Sequence, residues 1–317
     1  MKHRIFFIFL LVGALACEQT LDRPLPEHTP RLVVYGFLSP GEIVDVYVSR
    51  SYGPLDELSI DELLIPDASL DLKLGSSSYT DPTYIDTIFF PSDPNTATGA
   101  YRFAAARPEV GQTVSLEVSH PDYETVSAQT VVPNPIEVVG GNLEQNAYRE
   151  VQPDGSGEYQ SLLHITVDDP ADITNFYRVG ECWMGVEDPN QPNNLIWEPV
   201  EVLGPAVLSQ SGGYVADGTY ASDESINGQV GDLTFLVRLR NAFDDPAQIQ
   251  EFAVREVAVF TETADEAYAR FQEDLDLQRN SLGGISLTAP EPIIVFSNIE
   301  NGYGLLGGLV TSRDTLR

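Results

Sequence analysis

The chain has 317 residues and carries 48 acidic side chains against 17 lysines and arginines, a formal net charge of −31. Such a surface repels nucleic acid and anionic headgroups, which excludes attachment to either through a basic face. The length is long for one β-sandwich and comfortable for two domains, and the two cysteines, Cys17 and Cys182, are too few for a disulfide framework.

In chain order, Lys2 and Arg4 come first, then an unbroken apolar run from Ile5 to Val12, then Gly13-Ala14-Leu15-Ala16 directly before Cys17. A basic start, an apolar core of roughly 7–15 residues and a small-residue cleavage site make a secretory signal, and the cysteine at the cut makes it a lipoprotein signal. Ala14 stands where leucine is most usual. An ordinary cleaved signal and a retained anchor are the alternatives, although a transmembrane helix needs ~20 apolar residues and this run is shorter. Cleavage of 1–16 exposes Cys17 for acylation on its thiol and amine. Losing Lys2 and Arg4 takes the net charge from −31 to −33 and leaves Lys73 as the remaining lysine. Cys182 then has no disulfide partner, so stability has to come from buried cores even in an oxidising compartment. The acid excess reads as solubility by self-repulsion, or as adaptation to a salty habitat that screens the repulsion.

Residues 17–30, with three prolines and no apolar period, read as a tether. Glu18 and Asp22 are either part of that spacer or an acidic sorting signal beside the acylated cysteine. The strand Leu32–Leu38, the turn Ser39-Pro40-Gly41-Glu42 and the returning strand Ile43–Val48, with Val44, Val46 and Val48 on one face, form a hairpin. Strands at Ala68–Leu74, Tyr84–Phe90, Tyr101–Ala104, Thr113–Val118 and Tyr123–Val132 follow at sandwich spacing. Residues 31–133 therefore read as an immunoglobulin-like or prealbumin-like β-sandwich. Pro133-Asn134-Pro135 marks the boundary, as a short stiff linker.

Residues 134–317 read as a second, β-rich domain with strands at Ile136–Val139, Leu162–Val167, Phe176–Met184, Leu195–Val202, Leu233–Leu239, Val254–Phe260 and Ile293–Phe296. The fold class is thus mostly β, with one amphipathic helix. That helix opens on the capping box Thr263-Ala-Asp-Glu266, shows the stripe Ala264, Ala267, Tyr268, Phe271 and Leu275, and stops at Asn280-Ser-Leu-Gly-Gly284. Its apolar face is expected to pack across a sheet. The corner Asp168-Asp-Pro-Ala-Asp-Ile-Thr-Asn-Phe176 recurs as Asp244-Asp-Pro-Ala-Gln-Ile-Gln-Glu-Phe252, in which aspartate caps a turn and proline fixes φ. Calcium binding by Asp168, Asp169 and Asp172 is the functional alternative, though the glycine and spaced terminal acid of a calcium loop are missing.

No motif of nucleophilic, metalloprotease, redox or P-loop chemistry occurs. Gly302-Tyr-Gly304-Leu-Leu-Gly307 matches a dinucleotide-binding pattern without the helix and distant acid that pattern needs, so close backbone packing is the better reading. Cys182 and His164 would be a nucleophile and base only if brought together. A structural cysteine is expected instead, with His164 pointing outward. No cofactor, metal ligand or catalytic residue is nominated. The long loops 185–194 and 209–231 are the expected functional surface, and Trp197, Tyr214, Tyr220 and Tyr303 are the candidate partner contacts, because aromatic residues dominate desolvated hot spots.

The string Glu291-Pro-Ile-Ile-Val-Phe-Ser-Asn-Ile-Glu-Asn-Gly-Tyr-Gly-Leu-Leu-Gly-Gly308, the opening Arg31-Leu-Val-Val-Tyr-Gly-Phe-Leu-Ser-Pro-Gly41 and the Tyr268 to Leu275 helix with Gln278 resemble the family catalogued as domain of unknown function 4249. The resemblance spans essentially the whole chain after the signal. It implies a lipid-anchored outer-membrane protein of Gram-negative bacteria, a non-enzymatic accessory or capture component partnered with a TonB-dependent transporter, on the periplasmic or cell-surface side. An adhesive or structural spacer is the alternative, and a hydrolase using loop carboxylates is a third reading.

Overall fold

A computed structural model describes residues 28–283 and 293–317, apart from 54–55, 57–61, 86–98, 152–156, 172, 189–190, 192–193, 209–213, 225 and 240–253. The signal with Cys17, most of the tether, the second copy of the corner and Asp172 lie outside the described residues. What is described is mostly β, with one helix and two sheets.

Strict alternation builds the first core. On β1 (Leu32–Leu38) and β2 (Val44–Arg50), residues Leu32, Val34, Leu38, Val44, Val46 and Val48 are all at most 1 % exposed. At about 1.5–3 kcal/mol for each fully buried aliphatic side chain, this face alone commits the hairpin to a sandwich. It packs on the inner face of β3 (Ser69–Leu74), β7 (Thr113–His120) and β8 (Tyr123–Val131), which supplies Leu70, Leu72, Leu74, Val114, Leu116, Val118, Val126 and Ala128. β4 (Ser77–Tyr79) edges that second sheet, while β5 (Thr83–Ile85) and β6 (Ala100–Phe103) edge the first. The expected strand Tyr84–Phe90 is described only as far as Ile85.

Residues 31–133 do not fill this core by themselves, because Ile299 and Leu306 complete it. Leu306 lies on β17 (Tyr303–Leu316), whose first half runs parallel to β1, from Val33↔Tyr303 to Leu38↔Gly308. Its second half pairs antiparallel with β16 (Val254–Ala264), from Ala264↔Leu309 to Val257↔Leu316. One strand therefore changes partners at Gly308–Leu309 and carries the sheet from the first core into the second.

The second core lies within β17-β16-β11-β12-β15-β10-β9, with β11 at Phe176–Glu187, β12 at Leu195–Leu208, β15 at Val230–Leu239, β10 at Gly157–Asp168 and β9 at Glu137–Val151. Leu163, Ile165, Val167, Tyr177, Val179, Met184, Phe235, Val237, Val259 and Leu316 fill it. The sheet curls until its edges meet: a Cβ on Gly141 of β9 would stand 3.0 Å from Leu316 Cδ1 of β17. Two short strands, β13 (Tyr214–Ala216) on β12 and β14 (Ala221–Ser222) on β11, stand off the main order.

The helix α1 (Glu266–Gly283) packs across the face of β1 and β17 that turns away from the sandwich core. Phe271 meets Tyr35 at 5.9 Å between ring centroids and Tyr268 meets Phe37 at 5.9 Å, both edge-on. Its cap differs from the expected box. Thr263 is still in β16, its hydroxyl accepting from Ile136 N at 3.1 Å, and the cap is Asp265, whose Oδ1 accepts from Tyr268 N at 2.7 Å. Strand registry with Val310 takes Thr263 away from the helix, and the next hydrogen-bonding side chain before the first turn takes over. The expected strand Ile293–Phe296 is also not a ladder strand: Asp274 Oδ2 accepts from Phe296 N at 2.8 Å and the Arg270 guanidinium sits 4.5 Å over the Phe296 ring, which holds the segment to α1. Gly302–Gly307 enters a strand, not a helix. Gly304, at φ +114°, lets β17 run so close to β1 that any Cβ would be driven into the Val34 carbonyl.

The Pro133-Asn134-Pro135 segment crosses where β17 changes partners. Val132 belongs to the first core, Ile136 to the second, and Pro133 abuts Gly308. Asp265 ties this junction together. Its Oδ2 accepts from Gly308 N at 2.8 Å and from the Thr130 hydroxyl, and its own N–H donates to Gly308 O at 3.1 Å.

Candidate aromatic cleft on the second sheet

A β-bulge sets up the most distinctive outward surface. β11 pairs Val179 with Thr261 and then Glu181 with Phe260, so Gly180 is an extra residue. Val179 and Cys182 can then both face the core, and Glu181 and Trp183 are thrown outward. Across the ladders, Arg313 pairs with Phe260 and Phe260 with Glu181; one row along, Ala258 pairs with Trp183; the next row pairs Gly185 with Trp197. The small residues Ala258 and Gly185 make a floor, and the rings make walls. Trp197 leans over Gly185, with ring carbons 3.3 Å from where a Cβ would sit.

The cleft encloses about 300 Å³ and is lined by Glu181, Trp183, Trp197, Ala258, Phe260 and Arg313. It holds both tryptophans of the chain. Trp197 is 40 % exposed, which is unusual for so large an apolar ring. Two opposite charges frame the rings: Trp183 Nε1 donates to Glu181 Oε2 at 3.4 Å, and the Arg313 guanidinium lies 5.3 Å from the Phe260 centroid. Flat apolar walls with one acceptor and one donor at the rim suit stacking and hydrogen bonding of a ring-shaped or planar group.

The four aromatic residues nominated from sequence are not brought together. Trp197 stands at one end of β12. Tyr214 pairs with Leu208 at the other, eleven residues further, or roughly 35 Å at the rise of an extended strand. Tyr214 belongs to the β12–β13 hairpin, where Leu208 is 65 % exposed and Val207 and Val215 are also open to solvent. Tyr303 is exposed at the start of β17, with the Arg31 guanidinium 5.7 Å from its ring. Tyr220 is only 5 % exposed, packed edge-on to Tyr268 at 6.4 Å with its hydroxyl on Glu262, so it is a core residue and offers no contact surface. Sequence reasoning missed Trp183, Phe260 and Arg313; strict alternation puts Val179, Glu181 and Trp183 on one face, and only the bulge at Gly180 turns the last two outward.

Cys182 and His164 are not a pair. Cys182 is buried in the second core, where burial pushes its thiol up to about 12. His164 points outward on β10 to Thr234 Oγ1 at 3.0 Å and Glu144 Oε2 at 3.4 Å. The carboxylates raised as calcium ligands also separate, since Asp168 is exposed while Asp169 is buried. Among the described residues no helix is long and apolar enough to cross a membrane.

The fold and cleft define a mostly β protein of two cores joined through one shared strand, with an open aromatic cleft on the outer face of its second sheet. Its signature segments lie at the structural joints, the glycines of 302–308 against β1 and the helix across β17. The chain belongs to the family described as Domain of unknown function (DUF4249), whose model matches residues 18–315. Comparison with curated proteins finds no match.

Proposed function

We propose that the chain is a non-catalytic outer-membrane lipoprotein, held by acyl chains on Cys17, that captures a ligand and presents it to a TonB-dependent transporter. The observation that carries capture is the aromatic cleft, a solvent-open apolar site with placed polar groups at its rim. The Met1–Cys17 signal sequence supports the anchoring, and the exposed apolar residues Val207, Leu208 and Val215 on the paired strands β12 and β13 support docking through the second body.

The test is extraction of the full lipoprotein in mild detergent and identification of what co-purifies. Wild type should bring down a transporter. A Leu208→Asp, Val215→Asp variant, changed only at exposed positions of β12 and β13, should abolish its recovery, and a Trp183→Ala, Trp197→Ala double variant should keep the transporter and lose the ligand. Cys17→Ser should lose acyl mass and membrane fractionation. A spacer predicts neither partner nor ligand, and turnover of a glycan or peptide panel by the isolated protein would replace capture with hydrolysis. Transporter recovery that survives the Leu208→Asp, Val215→Asp change would move docking away from the β12–β13 surface.

A further inference from the structure

The corner that follows β10 buries an oxygen-rich cluster that none of the above uses. Asp169 accepts from the Tyr177 hydroxyl and from Gly228 N at 2.9 Å. Across from it, Asp223 and Asn175 are bound backbone to backbone and backbone to side chain. Asn175 N donates to Asp223 Oδ2 at 2.6 Å, and Asp223 N donates to Asn175 O at 3.2 Å. Both residues are 0 % exposed.

Yet Asn175 Oδ1 and Asp223 Oδ1 have no hydrogen-bond partner. The Asn175 amide donates through Nδ2 to Ile173 O at 3.1 Å, with Oδ1 on the opposite side of the amide. Two orphan acceptors in full burial cost far more than an exposed pair, and the full cost falls on whatever is left unmade. A bridging water would donate to both oxygens but leave the charge. The side chains tied together here are two carboxylates, a carboxamide and a phenol, so these groups bring no positive charge to the orphan oxygens.

We propose that Asp169, Asn175 and Asp223 form a buried site for a hard divalent cation of the calcium class, which locks the β10–β11 corner to the turn before β15. Carboxylate, carboxamide and backbone oxygens are the ligands such an ion takes. Among the described residues no three His, Cys, Asp or Glu side chains converge on one point, so the carboxamide of Asn175 is a required member and softer metals are disfavoured. This inference is independent of capture at the aromatic cleft.

Because the surface is strongly acidic, the test must separate this site from loose surface binding. Calcium chloride is titrated calorimetrically into the full chain at ~1 M sodium chloride, where the Debye length is ~3 Å and exposed carboxylates are screened. One saturable equivalent is expected, with magnesium chloride failing to displace it. Asp223→Asn should weaken binding roughly tenfold or more, and Asn175→Asp, which adds a carboxylate in the same shape, should tighten it. Calcium should raise the melting temperature of wild type and not of Asp223→Asn. No saturable equivalent in wild type overturns the proposal without recourse to variants. So do equal shifts with calcium and magnesium in wild type and Asp223→Asn, which would mean screening alone. Stability that ignores calcium but rises on acidification, and loses that rise in Asp223→Asn, also overturns it in favour of a buried proton.

Discussion

Asp265→Ala is the sharpest perturbation of the joint between the two cores. It removes the α1 cap, worth about 1 kcal/mol, and leaves the buried Gly308 N–H without its acceptor, at about 1–3 kcal/mol. The Thr130 hydroxyl also loses its acceptor, which adds about 0.5–1.5 kcal/mol. Burial raises the Asp265 pKa, so the carboxylate is itself disfavoured at neutral pH and part of the loss is offset. The net expectation is about 2–4 kcal/mol, a large share of the ~5–15 kcal/mol of a typical domain. Asp265→Asn, which keeps an acceptor and drops the charge, should cost less. Urea unfolding read by tryptophan fluorescence reports the second core alone, because Trp183 and Trp197 both lie on its sheet, while far-UV circular dichroism reports both. In wild type the two curves should coincide, and in Asp265→Ala they should separate. A loss under ~1 kcal/mol with coincident curves would refute Asp265 as the tie.

Gly304→Ala should destabilise by about 2–6 kcal/mol, from a left-handed backbone plus overlap with the Val34 carbonyl; soluble expression with an unchanged melting temperature would contradict the close approach of β17 to β1. Burial raises the pKa of Asp265, Glu273 and Asp314. The native state therefore binds protons that the unfolded chain releases, and their contribution, full below the unfolded carboxylate range near ~4, is lost as pH rises through the raised native values. Melting temperature should rise between about pH 7 and about pH 5, against the smaller opposing effect of Asp71, held low by the Ser78 hydroxyl; a fall over that range would reverse the sign. Raising sodium chloride from ~0.1 to ~1 M shortens the Debye length from ~10 to ~3 Å and should raise the melting temperature by relieving self-repulsion, and a flat or falling trend would remove the salty-habitat reading.

Period-two alternation made most strands legible, since Val44, Val46 and Val48 must share a face wherever that face ends up. It could not disclose the partner of that face. The pairing of β1 with β17 joins Val33 to Tyr303, and nothing local in either segment encodes a contact that distant. The glycines of 302–308 were visible as close-packing residues, but not the carbonyl they approach. Thr263-Ala-Asp-Glu266 satisfied the capping-box pattern, and tertiary pairing moved the cap to Asp265. At the cleft, Trp197 was legible as an aromatic residue beside a long loop. Its companions come from β11, β16 and β17 and meet only through strand order and one bulge. Tyr220 failed because aromatic composition does not distinguish a ring beside a loop from one beneath it.

The parallel pairing of β1 and β17 has a mechanical meaning. A pull entering through residue 31 and resisted by the second body passes into β1, crosses to β17, and leaves through β17's other half into β16. Because the two strands run the same way and are loaded from opposite ends, the six residue pairs from Val33↔Tyr303 to Leu38↔Gly308 bear the force together, in shear, and do not open one at a time. Two loads, one at residue 31 and one on the second body, would thus be joined through a clasp that yields late, with the sandwich and the curled sheet both intact until it does.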